Sequence, residues 1–245
     1  MGMRVWLDFI HRRFARGAGC LSRSKKFLEK RENPLRKAIL LDWDGVLCNS
    51  LELCYEFYKV NCERFKHALP IHDVDQFRAW YNPEWQENFY EMGFTREEFA
   101  LVSKDWEDSL QYSRAGFFED VKENLERWSR DYSLAIVSTT PSWMIRDRLA
   151  QDGLEGFFQV FTGGEDGIMQ KRDKVKNTLD LLEAIEGVLV GDTPLDIDAG
   201  AFHGLKTIGV TYGWVTPERI RAANPTRIVE EPSDLYQAVL DLIQS

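Results

Sequence analysis

The chain has 245 residues, of which 44% are hydrophobic and 29% are charged, enough for one large domain or two modest ones. This composition is typical of a soluble globular protein, and no apolar run approaches the roughly 18 residues of a membrane-spanning helix. The net charge of −9 is unevenly spread. The chain after residue 37 carries about −17, which argues against nucleic acid as the main partner.

Residues 1–37 form a basic N-terminal extension, with eleven Lys or Arg against three Asp or Glu. Four apolar residues at helical spacing predict an apolar stripe on a short basic helix. They are Met3, Leu7, Ile10 and Phe14. A plain extension, a weak anchor to a membrane surface or protein partner, and an organelle transit peptide all stay open. We expect a cytoplasmic protein, with organelle targeting by the extension as the alternative.

Apolar strand-like runs alternate with helical patterns along the rest of the chain. The runs are Ala38–Leu41, Leu134–Val137, Val160–Phe161, Val188–Val190, Thr207–Val210 and, more weakly, Arg227–Val229. The helical patterns are Glu119–Arg130, Ser142–Gln151, Asp173–Ile185, Leu195–His203 and Ser233–Ile243. This alternation predicts an α/β fold with a parallel, Rossmann-like sheet flanked by helices. Ligands bind such sheets beyond the carboxyl ends of the strands.

The interval 49–116 interrupts the alternation, because almost seventy residues pass without a clear strand. A structureless loop of that length is uncommon inside a compact domain. The interval is rich in aromatic residues, as in WYNPEWQENFYEMGF, and predicts helices separated at Pro83 and Gly93. We expect most of these aromatic side chains to pack in a core of their own. The predicted domains are a core of residues 38–48 and 117–245 and an inserted α-helical cap after the first strand.

Polar residues follow the predicted strands at the edge where ligands bind. The first strand runs into Asp42 and Asp44, two carboxylates that repel each other and lose hydration there. Three later stretches add polar groups: Ser138-Thr139-Thr140, then Lys171, Lys174 and Lys176, then Gly191-Asp192 with Asp196. Carboxylates this close raise one another's pKa unless a cation lies between them. Hard oxygen ligands without His or Cys suit Mg²⁺.

A metal ion at this edge would let Asp42 stay ionised, and an ionised carboxylate can act as a nucleophile on phosphorus. Hydroxyl and ammonium groups opposite would hold phosphoryl oxygens and offset the charge that develops during transfer. Asp196 alone, at a helix start, would be interpreted as a helix cap. The ordered combination of all these groups favours catalysis.

The ordered motifs resemble those of the haloacid dehalogenase (HAD) superfamily of phosphatases. DWDGVL is similar to its first motif, IVST to its second and VGDTPLDIDAG to its fourth. The stretch GLKTIGVTYGWVTPERIRAANPTRIVEEPSDL resembles the phosphoglycolate phosphatase-like branch. The resemblance covers residues 38–245 and is weakest across the inserted helices. It implies a HAD-like core and a cap that selects the substrate.

The resemblance also implies roles for single residues. Asp42 would attack phosphorus to form an aspartyl-phosphate, and Asp44 would protonate the leaving oxygen and then activate water. Ser138, with Thr139 beside it, would bind the phosphoryl group. The implied Mg²⁺ site consists of Asp42, Asp44 through its carbonyl oxygen, Asp192, and Asp196 in a supporting position.

The third motif of the superfamily is a single lysine, for which three residues compete. Lys171 fits the loop GGEDGIMQKRD best, although Arg172 stands where the superfamily usually has Pro. Lys174 is the alternative, and Lys176 is interpreted as helix surface. Lys171 is therefore the predicted catalytic and phosphate-binding lysine.

The predicted function is Mg²⁺-dependent hydrolysis of a small, phosphoglycolate-like phosphomonoester, and the predicted partner is a small phosphorylated metabolite. Two alternatives stay open. A sugar phosphomutase of the same superfamily would need cap residues that grip a second phosphate, with Arg64, Lys66 and Arg78 as candidates. A non-catalytic HAD-like scaffold would be anchored by its basic N-terminus.

Overall fold

The computed structural model describes residues 37–109, 114–166 and 170–245. The basic helix predicted in the N-terminal extension therefore lies outside the described residues. Arg36–Ser245 form one compact unit, so the division into core and cap domains stays a prediction. Among the described helices, none is long and apolar enough to cross a membrane.

A six-stranded parallel sheet lies at the centre of the fold. The strands of the described residues are β1 (Lys37–Leu41), β2 (Cys48–Asn49), β3 (Gly116–Phe117), β4 (Ser133–Val137), β5 (Val160–Thr162), β6 (Glu186–Gly191), β7 (Lys206–Val210) and β8 (Arg227–Val229). The sheet has the order β5-β4-β1-β6-β7-β8, so β1 pairs with both β4 and β6. The predicted parallel α/β fold and its six strands are confirmed.

The described residues include ten α-helices. They are α1 (Leu51–Phe65), α2 (Val74–Trp80), α3 (Trp85–Glu91), α4 (Arg96–Ser109), α5 (Val121–Trp128), α6 (Ser142–Gln151), α7 (Lys171–Leu182), α8 (Pro194–Phe202), α9 (Pro217–Ala222) and α10 (Leu235–Gln244). Of these helices, α5 to α8 and α10 pack on the two faces of this sheet. In β1, Ile39 and Leu41 pack against α5, α6 and α10, whereas Ala38 and Leu40 pack against α7 and α8. A strand that is apolar on both faces is the expected centre of a parallel sheet.

The helices α1 to α4 occupy the interval between β2 and β3 and share an apolar cluster of their own. Tyr58 of α1 stacks on Phe89 of α3 with 4.4 Å between the ring centroids. Pro83 lies between α2 and α3, and Gly93 follows α3 with a φ of 92°. The aromatic residues of the interval therefore form a core, as the sequence predicts.

The two connections to these helices run side by side. The antiparallel pair of β2 and β3 joins Cys48 to Phe117 and Asn49 to Gly116, and we call it the connecting ribbon. The Arg148 guanidinium of α6 lies 4.3 Å from the Phe117 ring centroid, and its Nε donates to the carbonyl of Ala115 at 3.2 Å. The ribbon is therefore fastened to a helix of the sheet layer.

Candidate active site

Three buried carboxylates meet at the carboxyl edge of the sheet. Asp42 follows β1, Asp192 follows β6, and Asp196 lies in the first turn of α8. Because β1 and β6 are hydrogen-bonded neighbours, their ends coincide although about 150 residues separate them. One carboxylate oxygen from each residue lies within 4.8 Å of the others, so the group could hold a metal ion. We call these three residues the carboxylate cluster.

Lys171 brings a positive charge into this cluster from the first position of α7. Its Nζ lies 2.9 Å from Asp42 Oδ2 and 2.8 Å from Asp196 Oδ1, and its side chain is 8% exposed. A buried ammonium between two carboxylates offsets part of their repulsion and of the cost of taking them out of water. Lys171 therefore orients Asp42 and Asp196 together.

The other two lysines of the loop lie elsewhere. The Lys174 side chain is fully buried, and its Nζ donates to the carbonyl of Gly163. Lys176 forms an exposed ion pair with Asp180 at 2.5 Å. Of the three candidates, Lys171 is the one that the structure places against the carboxylate cluster.

The cluster carries more negative charge than one ammonium balances. Burial raises the pKa of the Asp42 carboxyl group to about 7, with Lys171 opposing the shift and Asp196 adding to it. Burial and the charge of Asp42 raise the pKa of Asp192 well above its usual value. Burial would lower the pKa of Lys171, but Asp196 and Asp42 outweigh it and raise that pKa. A further cation would favour the ionised forms of Asp42 and Asp192.

Two glycines allow the backbone to approach Asp192 closely. Gly45 has a φ of +74°, and a Cβ there would lie 2.0 Å from Asp192 Oδ2. A Cβ on Gly213 would lie 2.3 Å from Asp192 Cβ. The backbone N–H of Trp214 donates to Asp192 Oδ2 at 2.6 Å. Any side chain at either glycine would displace this carboxylate.

Asp44 has a different environment from the carboxylate cluster. Its Oδ1 accepts a hydrogen bond from the Ser50 hydroxyl at 2.5 Å, and its Oδ2 accepts one from the Thr140 hydroxyl at 2.7 Å. Its carboxylate is not part of the group that could hold a metal ion among the described residues. The implied contribution of its carbonyl oxygen to a metal site stays a prediction.

The stretch after β4 lies along the same edge of the sheet. Ser138 is buried; its N–H donates to the Thr162 carbonyl at 3.0 Å, and its Oγ accepts from the Thr140 N–H at 3.1 Å. The hydroxyl hydrogen of Ser138 is thus not needed for that bond and can be donated to a ligand. Thr139, also predicted to bind phosphate, is exposed.

The site includes three residues to which the sequence assigned no individual role. Ser50 and Thr140 orient Asp44, and Trp214 holds Asp192 through its backbone. Thr140 had a signal, since it belongs to a run of hydroxyl residues after a strand. The sequence signal for Ser50 was weaker, because a serine before a helix is usually interpreted as the helix cap. The Trp214 contact has none, because every residue except proline has a backbone N–H.

A single protein-family match covers most of these residues. The haloacid dehalogenase-like hydrolase family matches residues 39–210, which include Asp42, Ser138, Lys171 and Asp192. The chain belongs to the haloacid dehalogenase-like hydrolase family. This membership confirms the resemblance of the motifs and the predicted enzyme class, a hydrolase.

Relatives and solved structures of this HAD-like hydrolase agree with the family. The pyrophosphatase PpaX of Listeria welshimeri is 29% identical over 214 residues, which cover 83% of this chain and 96% of that protein. A phosphoglycolate phosphatase of Synechococcus elongatus is 28% identical over 225 residues, covering 85% and 99%. The crystal structure of a predicted phosphatase from Clostridium acetobutylicum superimposes with a TM-score of 0.72 at 21% identity, covering 85% and 100%. That structure supports the fold.

Proposed function

We propose that this hydrolase is an Mg²⁺-dependent phosphatase that hydrolyses a small phosphomonoester through an aspartyl-phosphate intermediate. The observation that carries the proposal is the position of the Asp42 carboxylate, 2.9 Å from the Lys171 ammonium and within the buried carboxylate cluster. A carboxylate that cations keep ionised in a site shielded from water is suited to attack phosphorus. The names of the two relatives support phosphate chemistry.

The residues present fit Mg²⁺. Asp42, Asp192 and Asp196 would hold the ion, and their donors are all carboxylate oxygens, without a His or Cys in the group. Mg²⁺ prefers such hard oxygen ligands and keeps part of its water shell for a phosphate group. When bound, the ion would supply positive charge that offsets the carboxylates and the phosphoryl oxygens.

The reaction follows from what the side chains can do. A carboxylate oxygen of Asp42 attacks phosphorus while the bond from phosphorus to the leaving oxygen breaks. Asp44 gives its proton to that leaving oxygen. Asp44, now a carboxylate, takes a proton from water, whose oxygen attacks the aspartyl-phosphate and releases phosphate and Asp42. Lys171 and Ser138 hold the phosphoryl oxygens during both steps.

Phosphoglycolate and pyrophosphate are the first substrates to test, because the relatives are named for them. The phosphomutase alternative would need a second phosphate site, with Arg64, Lys66 and Arg78 as the candidate residues. Arg64 forms an ion pair with Asp105 and lies over the Phe65 ring, and Lys66 is exposed at the end of α1. The Arg64 guanidinium is thus already paired, whereas Arg78 Nε is buried without a hydrogen-bond partner among the described residues and is the candidate that the panel below tests.

A panel of small phosphate esters, with pyrophosphate as a phosphoanhydride, tests the proposal. The full chain is incubated with phosphoglycolate, pyrophosphate, p-nitrophenyl phosphate and a hexose 1-phosphate, each with Mg²⁺ or with EDTA. We expect phosphate release that EDTA abolishes and added Mg²⁺ restores. Absence of hydrolysis across the panel would contradict the proposal, and conversion of the hexose phosphate into an isomer would favour the mutase.

Binding of Mg²⁺ should stabilise the folded protein measurably. At a concentration about a hundredfold above its Kd, a ligand adds about 2.7 kcal/mol. For a domain of this size we therefore expect the melting temperature to rise by about 5 to 10 °C. The shift, measured by calorimetry, should be much smaller in Asp192→Asn. The exposed Asp180→Asn is the matched control and should keep the full shift.

Replacing Lys171 by Met should lower kcat by about 10² to 10³-fold, because one preorganised charge on the phosphoryl group is lost. Lys174→Met should change the melting temperature more than kcat, since Lys174 is buried against the Gly163 carbonyl. The exposed Lys176→Met is the control for both. A larger loss of kcat in Lys174→Met than in Lys171→Met would transfer the catalytic role to Lys174.

A further inference from the structure

The loop that follows β7 reaches the carboxylate cluster through Trp214. The Trp214 N–H donates to Asp192 Oδ2 at 2.6 Å, and the side chain is buried. The preceding Gly213 has no room for a Cβ, which would lie 2.3 Å from Asp192 Cβ. A movement of this loop would therefore change the orientation of the Asp192 carboxylate.

The same loop also belongs to the apolar cluster of the inserted helices. Trp214, Val215 and Ile220 pack with the side chains of α1 to α4. The Trp214 indole meets the Tyr81 ring edge-on, with 5.1 Å between centroids and 76° between planes. Aromatic pairs in this arrangement add a directional attraction to the burial of their surface.

A charged hydrogen bond strengthens this contact. Arg219 Nη1 of α9 donates to the carbonyl oxygen of Tyr81 at 2.6 Å. Tyr81 lies at the C-terminal cap of α2, where a helix leaves carbonyl groups without partners in its own backbone. Hydrogen bonds from a charged donor are about twice as strong as neutral ones. We call Tyr81, Trp214 and Arg219 the latch.

The latch is a second attachment of the inserted helices, far along the chain from the connecting ribbon. The ribbon lies where the chain itself enters and leaves the insert, whereas the latch consists of non-covalent contacts that include one ring contact and one hydrogen bond. Trp214 of the latch is itself hydrogen-bonded to the Asp192 carboxylate. The position of α2 and the orientation of Asp192 are therefore mechanically connected.

We propose that the latch is a positioning device: docking of α2 onto Trp214 and Arg219 orients Asp192 and so raises the affinity of the carboxylate cluster for Mg²⁺. This inference rests on the proposed function for the identity of the ion. Coupling between two sites is reciprocal, so bound Mg²⁺ must favour the docked position of α2 by the same factor. The docked fraction of α2 would therefore depend on whether Mg²⁺ is bound to the carboxylate cluster.

The variants that test the latch are Arg219→Gln and Tyr81→Ala. Tyr81→Phe is the conservative variant, since it keeps both the ring and the carbonyl. Arg221→Gln is the matched control, because Arg221 lies on the same helix and forms an exposed ion pair with Glu230. Circular dichroism establishes that each variant is folded.

The first readout is the Kd for Mg²⁺, measured calorimetrically without substrate. We expect Arg219→Gln and Tyr81→Ala to weaken Mg²⁺ binding by about fivefold or more, in the usual range of coupling between sites. Tyr81→Phe and Arg221→Gln should stay within about twofold of the wild type. Wild-type affinity in Arg219→Gln would overturn the proposal even if Tyr81→Ala fails to fold.

The second readout is hydrogen exchange of the amides in α2. Addition of Mg²⁺ should slow this exchange in the wild type and in Arg221→Gln, and should have little effect in Arg219→Gln. Equal slowing in Arg219→Gln would overturn the coupling.

The two proposals fail in distinguishable ways. A protein that binds Mg²⁺ in a latch-dependent manner but hydrolyses no phosphate ester would refute the phosphatase and leave the latch intact. If the protein is a phosphatase and the latch variants leave its Kd for Mg²⁺ unchanged, the latch alone is refuted. A wild type without Mg²⁺ binding would overturn both.

Discussion

The variant Asp42→Asn should lose turnover almost completely, with kcat lower by at least about 10⁴-fold, because an amide cannot replace the attacking carboxylate. The fold should survive. The substitution is nearly isosteric and removes one buried negative charge, and Lys171 keeps Asp196 as a partner at 2.8 Å. Phosphate release, the melting temperature and the mass of the acid-quenched protein are the measurements.

The matched control for this variant is Asp198→Asn. Asp198 lies on α8 near the cluster in sequence, but its carboxylate is exposed and pairs with Arg172. The variant Asp198→Asn should hydrolyse phosphate esters at the wild-type rate. If Asp42→Asn kept more than about 1% of wild-type turnover, the nucleophile would have to be assigned to another residue.

The variant Asp44→Asn should lower kcat by about 10² to 10⁴-fold, the usual contribution of a general acid and base. The loss should depend on the leaving group. p-Nitrophenolate leaves without a proton, so the first step should still proceed with p-nitrophenyl phosphate. The second step needs Asp44 to activate water, so the aspartyl-phosphate should accumulate as a burst of one equivalent of p-nitrophenol.

The variant Thr140→Val tests the role of Asp44 with a milder change. It removes one of the two hydroxyl groups that orient Asp44 but leaves the carboxyl group in place. We expect kcat to fall by about tenfold, which corresponds to roughly one hydrogen bond.

Steady turnover of Asp44→Asn with p-nitrophenyl phosphate, without a burst, would contradict the role of Asp44 in the second step.

The parallel sheet was predictable because its strands are short apolar runs separated by helical patterns. The carboxylate cluster was predictable for the same reason: once β1 and β6 are strands of one parallel sheet, Asp42 and Asp192 must lie at one edge. No side-chain contact had to be known. Sheet topology alone brings these residues together.

Other features depend on geometry that spacing does not encode. Helix α7 begins at Lys171, two residues before the predicted start, and ends at Leu182 because Glu183 adopts a left-handed conformation with a φ of 53°. The apolar Ile185 suggested a longer helix but is 67% exposed. The resemblance of the loop favoured Lys171 over Lys174, and the rotation of that helix, which no motif states, places Lys171 against the carboxylate cluster.

The latch residues were beyond prediction for another reason. Trp214 acts on Asp192 through its backbone, and Arg219 acts on the backbone of Tyr81. Contacts to main-chain atoms leave no preference for residue types that a single sequence could display. They become visible when the distances are known.

The connecting ribbon has a consequence for how such chains diversify. Because Cys48 pairs directly with Phe117, the insertion leaves and re-enters the sheet layer at points about 5 Å apart. A gap that short can be bridged by almost any hairpin or bundle. Under the proposed latch, however, a replacement insert would also have to supply a contact to Trp214, because Tyr81 would be lost together with the helices.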